Sequence, residues 1–127
     1  MRVAGIGIDI VEIARIAESI ERHGESFLSR LFTANERDYC ESRAMPAMHY
    51  AARFAAKEAV AKAFGTGIGE RAAFLDLEII NNHAGAPQVV LGGSAKKHAD
   101  DCGITEIQVS LTHSREYAAA NAVVIAE

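Results

Sequence analysis

No apolar run in this chain approaches the ~20 residues a membrane span needs, and no basic stretch followed by an apolar one opens it. The expectation is a cytoplasmic protein, neither inserted in a membrane nor exported. Cysteine is scarce. Cys40 and Cys102 are the only two, far apart and in no metal-ligand spacing, which points to free thiols in a reducing compartment. A basic excess is missing as well: the formal net charge of −4 argues against a general nucleic-acid binder. An anionic ligand then requires basic residues gathered locally. No repeat, linker or low-complexity tract divides the 127 residues, so the expectation is one domain over 1–127. That length buries roughly 65–70% of the unfolded surface.

What is present is an ordinary globular mixture, 50% hydrophobic and 24% charged. Residues 2–10 alternate as a strand, with Ile6, Ile8 and Ile10 on one face and Gly5, Gly7 and Asp9 on the other. Ile13, Ile16, Ala17 and Ile20 recur at helical spacing, and Gly24 is a natural stop. Thr33 and Glu36 form a capping-box pattern, predicting a helix to about Arg43. Pro46 suits the first turn of a long helix over 46–64, which Gly65 ends. Strands follow near 74–81 and 87–92, then a short helix from Ser94 to Asp101, then a hairpin of Thr105–Thr112 and Tyr117–Ala126. The class is α+β: an antiparallel sheet packed with a long helix and shorter helices. Residues 118–126 are apolar on both faces except at Asn121. A strand of that kind needs cover on both sides, which predicts self-association.

Several polar residues invite a functional reading beside a structural one. Asp9, read alone, caps the next helix, since Asp9 to Glu12 is itself capping-box-like. Gly5 and Gly7 also clear its side of the strand, and a carboxylate in such a space suits magnesium. Glu58 and Lys62 have the spacing of a surface ion pair. Their neighbours on that side, Ala47, Ala51, Phe54 and Ala55, instead suggest a face approached closely by a ligand, a metal or a partner. Arg53 and Lys57 lie on another side and read first as a solvated basic edge. The alternative is that the Arg53 guanidinium meets phosphate. Gly65 to Gly69 follow a helix instead of preceding one, so Gly65 reads first as a C-cap. His113 ends a strand among hydroxyls, yet no orienting acid and no nucleophile elbow accompany it.

Taken together, GIGIDIVEI at 5–13, RFAAKEAVAKAFG at 53–65 and SLTHSREYAAA at 110–120 resemble holo-acyl-carrier-protein synthase, the small bacterial 4′-phosphopantetheinyl transferase. LFTANERDYC at 31–40 and GAPQVVL at 85–91 are similar to it too. The resemblance implies transfer of the phosphopantetheine arm of coenzyme A to a serine of apo acyl carrier protein, releasing 3′,5′-ADP, in support of fatty acid biosynthesis. It implies a homotrimer with sites between subunits. By the same resemblance Asp9 and Glu58 hold magnesium with the coenzyme A pyrophosphate, and Lys62 contacts the phosphates. Either Glu58 or a magnesium-held water takes the serine proton. Arg53, His113 and Gly65 match positions that meet coenzyme A, the first two at its phosphates, and the turn Gly85 to Pro87 lies near the adenine. The first helix is expected to dock the carrier through Arg15 and Arg22, although Glu18 and Glu21 dilute that basic patch. Two other classes compete: a non-catalytic coenzyme A-binding module, and a structural oligomer whose Glu58–Lys62 pair is surface decoration.

Overall fold

The computed structural model describes residues 1–127. The chain runs β1 (Arg2–Glu12), α1 (Ile13–His23), α2 (Glu25–Leu31), α3 (Ala34–Glu41), α4 (Pro46–Phe64), β2 (Leu77–Asn81), β3 (Pro87–Leu91), α5 (Gly93–Asp101), β4 (Ile104–His113) and β5 (Tyr117–Ala126). Element ends follow local chemistry. Pro46 opens α4, where its missing donor is harmless, and Gly65 closes it at φ 82°, a left-handed turn suited to glycine. Thr33 Oγ1 accepts the Glu36 amide at 3.3 Å while Glu36 Oε1 accepts the Thr33 amide at 2.8 Å, the reciprocal capping box. α2 was not expected from the sequence; it is a short helix ended by Phe32, whose ring meets Phe27 edge-on at 6.3 Å. The strand expected from 74 begins at Leu77, because Phe74–Asp76 coil into a 3-10 turn. Asp9 is not a cap. β1 continues three residues beyond it, and α1 starts at Ile13 without a side-chain cap. Its first amide instead donates to Glu116 O at 2.9 Å.

β1, β5 and β4 form an antiparallel sheet in that order, and β2 with β3 a separate ribbon. The register puts Gly7, Ala122 and Val109 side by side on one face, followed by Asp9, Ala120 and Leu111. This face covers α4, and both partners are pared to small residues. An added Cβ on Gly5 would lie 1.8 Å from Ala63 O, and one on Gly7 would lie 1.8 Å from Ala59 O. Backbone therefore rests on backbone. The outer face has no such cover: Ile6, Ile8 and Ile10 are 70%, 70% and 65% exposed.

On its opposite flank α4 carries a buried ion pair. Lys57 Nζ sits 2.8 Å from Glu36 Oε1, with both side chains fully buried, and also donates to Phe74 O at 2.8 Å. Glu36 Oε2 accepts the Ile79 amide at 2.7 Å. The expectation of a solvated basic edge fails here, for Arg53 is 3% exposed and Lys57 fully buried. Burial pulls the Lys57 ammonium below its ordinary range, and Glu36 partly restores it. Three elements are thereby fixed to one side of α4.

Two tests follow from this packing. Gly7→Ala should lower the unfolding free energy by about 3 kcal/mol or more, the upper range for overpacking against atoms that cannot yield. Gly69→Ala, whose Cβ meets nothing within 4 Å, should stay within about 0.5 kcal/mol in the same urea titration. Lys57→Met should cost about 3–5 kcal/mol by stranding a buried carboxylate. Adding Glu36→Gln should then return part of that loss; a double variant at the sum of two single losses would mean that the pair is not coupled.

Candidate active site

Between residues 50 and 63, α4 shows solvent one line of side chains. Phe54, Glu58 and Lys62, four apart, are partly or fully open while their neighbours are buried. The close approach of β1 brings Asp9 to that line. Lys62, whose long side chain leans toward the helix N-terminus, donates from Nζ to Asp9 Oδ1 at 3.0 Å and to Ile8 O at 3.1 Å. The surface pairing expected with Glu58 is thus replaced by a link from helix to strand. Glu58 makes no side-chain hydrogen bond. Its carboxyl is pushed above the ordinary range by burial first and by the Asp9 charge second, with Lys62 pulling the other way. Two carboxylates share one lysine, so the site carries a surplus of negative charge. Gly65 ends the helix three residues past Lys62, with open space around it.

No cluster of three or more His, Cys, Asp or Glu exists that could hold a metal by protein ligands alone. The pair Asp9 and Glu58 nevertheless fits magnesium, which takes one or two carboxylates and completes its shell with phosphate oxygens and water. The half-buried, unpartnered Glu58 carboxyl supports that fit.

Arg53, His113, Gly85 and Pro87 meet elsewhere. They line a cavity of about 260 Å³ that includes none of Asp9, Glu58, Lys62 or Gly65. Arg53 stands five positions before Glu58, which places it about 140° round the helix. Its guanidinium lies 4.2 Å over the Tyr39 ring, Nη2 donates to Asn81 Oδ1 at 3.2 Å, and the buried Nε has no partner. Tyr39, His49 and Asn81 belong to this cavity and were missed in the sequence. Only fold brings α3 and β2 to the same place.

A larger groove of about 450 Å³ runs between the end of β1 and α1, lined by Ile10, Arg15, Phe27, Phe54 and Tyr117 among others. Ile10 adjoins Asp9 and Phe54 stands one turn before Glu58, so the groove leads to the carboxylates. Of the two expected docking arginines, Arg15 lines it, whereas Arg22 is held by Glu18 at 3.3 Å on the exposed face of α1.

The sequence matches the 4′-phosphopantetheinyl transferase superfamily over residues 5–122. It is 53% identical over 120 residues to a holo-acyl-carrier-protein synthase of Ruminiclostridium cellulolyticum, covering 94% of this chain and 90% of that one. A Chlamydia caviae protein of the same name is 46% identical over 125 residues, 98% of this chain and 99% of that one. Among solved structures, the Neisseria meningitidis holo-acyl-carrier-protein synthase superposes with a TM-score of 0.92 at 32% identity, covering 98% and 99% of the two chains. The Helicobacter pylori enzyme, solved in complex with coenzyme A, gives 0.85 at 36% identity over 94% and 99%. The chain belongs to the 4′-phosphopantetheinyl transferase superfamily.

Proposed function

We propose that this chain transfers the 4′-phosphopantetheine arm of coenzyme A to a serine of apo acyl carrier protein, the activity of a holo-acyl-carrier-protein synthase serving fatty acid biosynthesis. The observation that carries the site assignment is the convergence of Asp9, Glu58 and Lys62 across the β1–α4 contact. No helix is long and apolar enough to cross a membrane.

Asp9 and Glu58 would hold magnesium, which when bound offsets charge building on the departing 3′,5′-ADP. Lys62 binds the phosphate oxygens, exchanging part of its contact with Asp9 for the ligand. The carrier serine oxygen forms a bond to the β-phosphorus as the bond to the bridging oxygen of 3′,5′-ADP breaks. Glu58, with no hydrogen bond of its own, is placed to take the serine proton. Arg53 and His113 hold other phosphates of coenzyme A.

Their separation from Asp9 within one chain favours a site completed by a second subunit. The uncovered Ile6, Ile8 and Ile10 supply an apolar face for that assembly, and the arrangement we propose is a homotrimer. The groove beside α1 takes the acidic helix of the carrier, with Arg15 at its wall and Phe54 on the way to Glu58.

Intact-mass analysis of apo carrier incubated with magnesium and coenzyme A tests the activity; gain of one phosphopantetheine is expected, and an unchanged carrier would exclude it. Asp9→Ala and Glu58→Ala should each nearly abolish transfer while remaining folded. Because Asp9 and Glu58 act within one chain, mixing these two variants should give no rescue. Mixing Glu58→Ala with His113→Ala should regain activity through sites built from one intact residue of each kind. Equal failure of both mixtures would place Asp9, Glu58 and His113 in one subunit's site.

Docking has its own signature. Arg15→Ala should raise KM for the carrier more than for coenzyme A, with the gap narrowing as salt screens charge over ~8–10 Å. Arg22→Ala should act in the same direction but more weakly, since Glu18 already engages it. Glu18→Lys should lower the carrier KM at low salt. Equal changes in both KM values across the series would place docking away from α1.

A further inference from the structure

The cavity behind Arg53 holds two imidazoles face to edge. His49, from α4, lies with its ring centre 5.7 Å from that of His113 at the end of β4, the planes 73° apart. Tyr39 from α3 closes the other side of His49 at 5.8 Å. The charged groups that act on His49 are Arg43, from the turn before α4, Arg53 from α4 and His113 from β4, and no carboxylate is among them. Arg53 adds a buried Nε without a partner. This is a small chamber with spare cationic donors and nothing anionic to satisfy them.

We propose that His49 acts with His113 and Arg53 as a proton-taking receptor for a dianionic phosphate monoester, so that the terminal monoester of coenzyme A is recognised together with a proton. The inference rests on the reading that this cavity takes a phosphate of coenzyme A, and it adds His49 as a specificity-determining residue. In the free chain burial, then His113 and the two arginines, hold the His49 imidazole below its ordinary range, so it is neutral near pH 7. A phosphate monoester carries −1.5 to −2 charges at that pH, with a second pKa of about 6. Two negative charges in the chamber favour imidazolium, and each imidazolium offers two donors. Binding therefore raises the affinity of His49 for a proton. The sign follows. Coenzyme A should bind more tightly as pH falls from about 8.5 to about 6.5, by up to about tenfold per unit if one full proton is linked. A phosphodiester, or a pyrophosphate esterified at both ends as in coenzyme A, keeps its charge fixed and gains no such dependence.

The test is calorimetric titration of the whole protein at pH 7 with coenzyme A and with 3′-dephospho-coenzyme A, each in two buffers of different ionisation enthalpy. Net proton uptake is expected with the first ligand and close to none with the second. In His49→Gln, which keeps a donor but cannot titrate in this range, uptake should fall by roughly half or more, and the pH dependence of affinity should flatten. Imidazole C–H resonances of the unsubstituted protein give an independent reading: that of His49 should titrate at higher pH with coenzyme A than without. Equal uptake for the two ligands, undiminished uptake in His49→Gln, or resonances indifferent to coenzyme A would each overturn the proposal. Absence of any coenzyme A binding would instead remove the function reading on which it rests.

Discussion

The backbone of β1 lies directly on the backbone of α4, and the rest of the site depends on that contact. It exists because Gly5 and Gly7 offer no Cβ where Ala59 and Ala63 offer almost none. Any larger side chain would lift the strand and carry Asp9 away from the Glu58–Lys62 line. The contact is thus both part of the core and what brings Asp9 to Glu58 and Lys62. A helix interior built from alanine gives up much of the apolar volume a core usually uses, and the sheet's small residues, Ala118, Ala120 and Ala122, are buried against it in compensation.

α4 must also be held at one rotation about its axis, since a turn of the helix would replace Glu58 by a neighbour. The Lys57–Glu36 pair does this from the opposite side. Lys57 directly precedes Glu58 and is fully buried with its partner, whose second oxygen takes the β2 backbone amide. Buried pairs are weak sources of net stability, but they do specify register when each atom has its partner. Charge on α4 thereby serves two ends: paired inside for position, underpaired at the open line for chemistry. Arg53 lies apart from both in a separate cavity, which is why the proposed function calls on a second subunit.

Local chemistry made much of this legible before folding was considered. Pro46 and Gly65 bound α4 at the expected residues, Thr33 and Glu36 close the expected capping box, and the Ile and Gly faces of β1 are as alternation predicts. What was not legible depends on partners far along the chain. Glu36 looked like a cap and nothing more, because its second role comes from Lys57, 21 positions away. The rotation of α4 places Lys57 toward α3 and β2, and a helical wheel does not say which side faces a sheet. Asp9 looked like a cap because the strand end was set too early; pairing with β5 carries β1 on to Glu12. His49 gave no signal, as an isolated histidine on an alanine-rich helix has none until His113 is brought beside it.

Asp9 and Glu58 occupy one electrostatic site across the strand–helix contact. The direct measurement is a carbon-detected pH titration of the Glu58 side-chain carboxyl, without metal, in the unsubstituted protein and in Asp9→Asn. Burial and the Asp9 charge place its midpoint above the ordinary glutamate range. In Asp9→Asn the charge is gone and burial remains, so the midpoint should fall but stay raised. A Glu58 carboxyl that titrates at the same pH in both proteins would mean that the two carboxylates do not share a site.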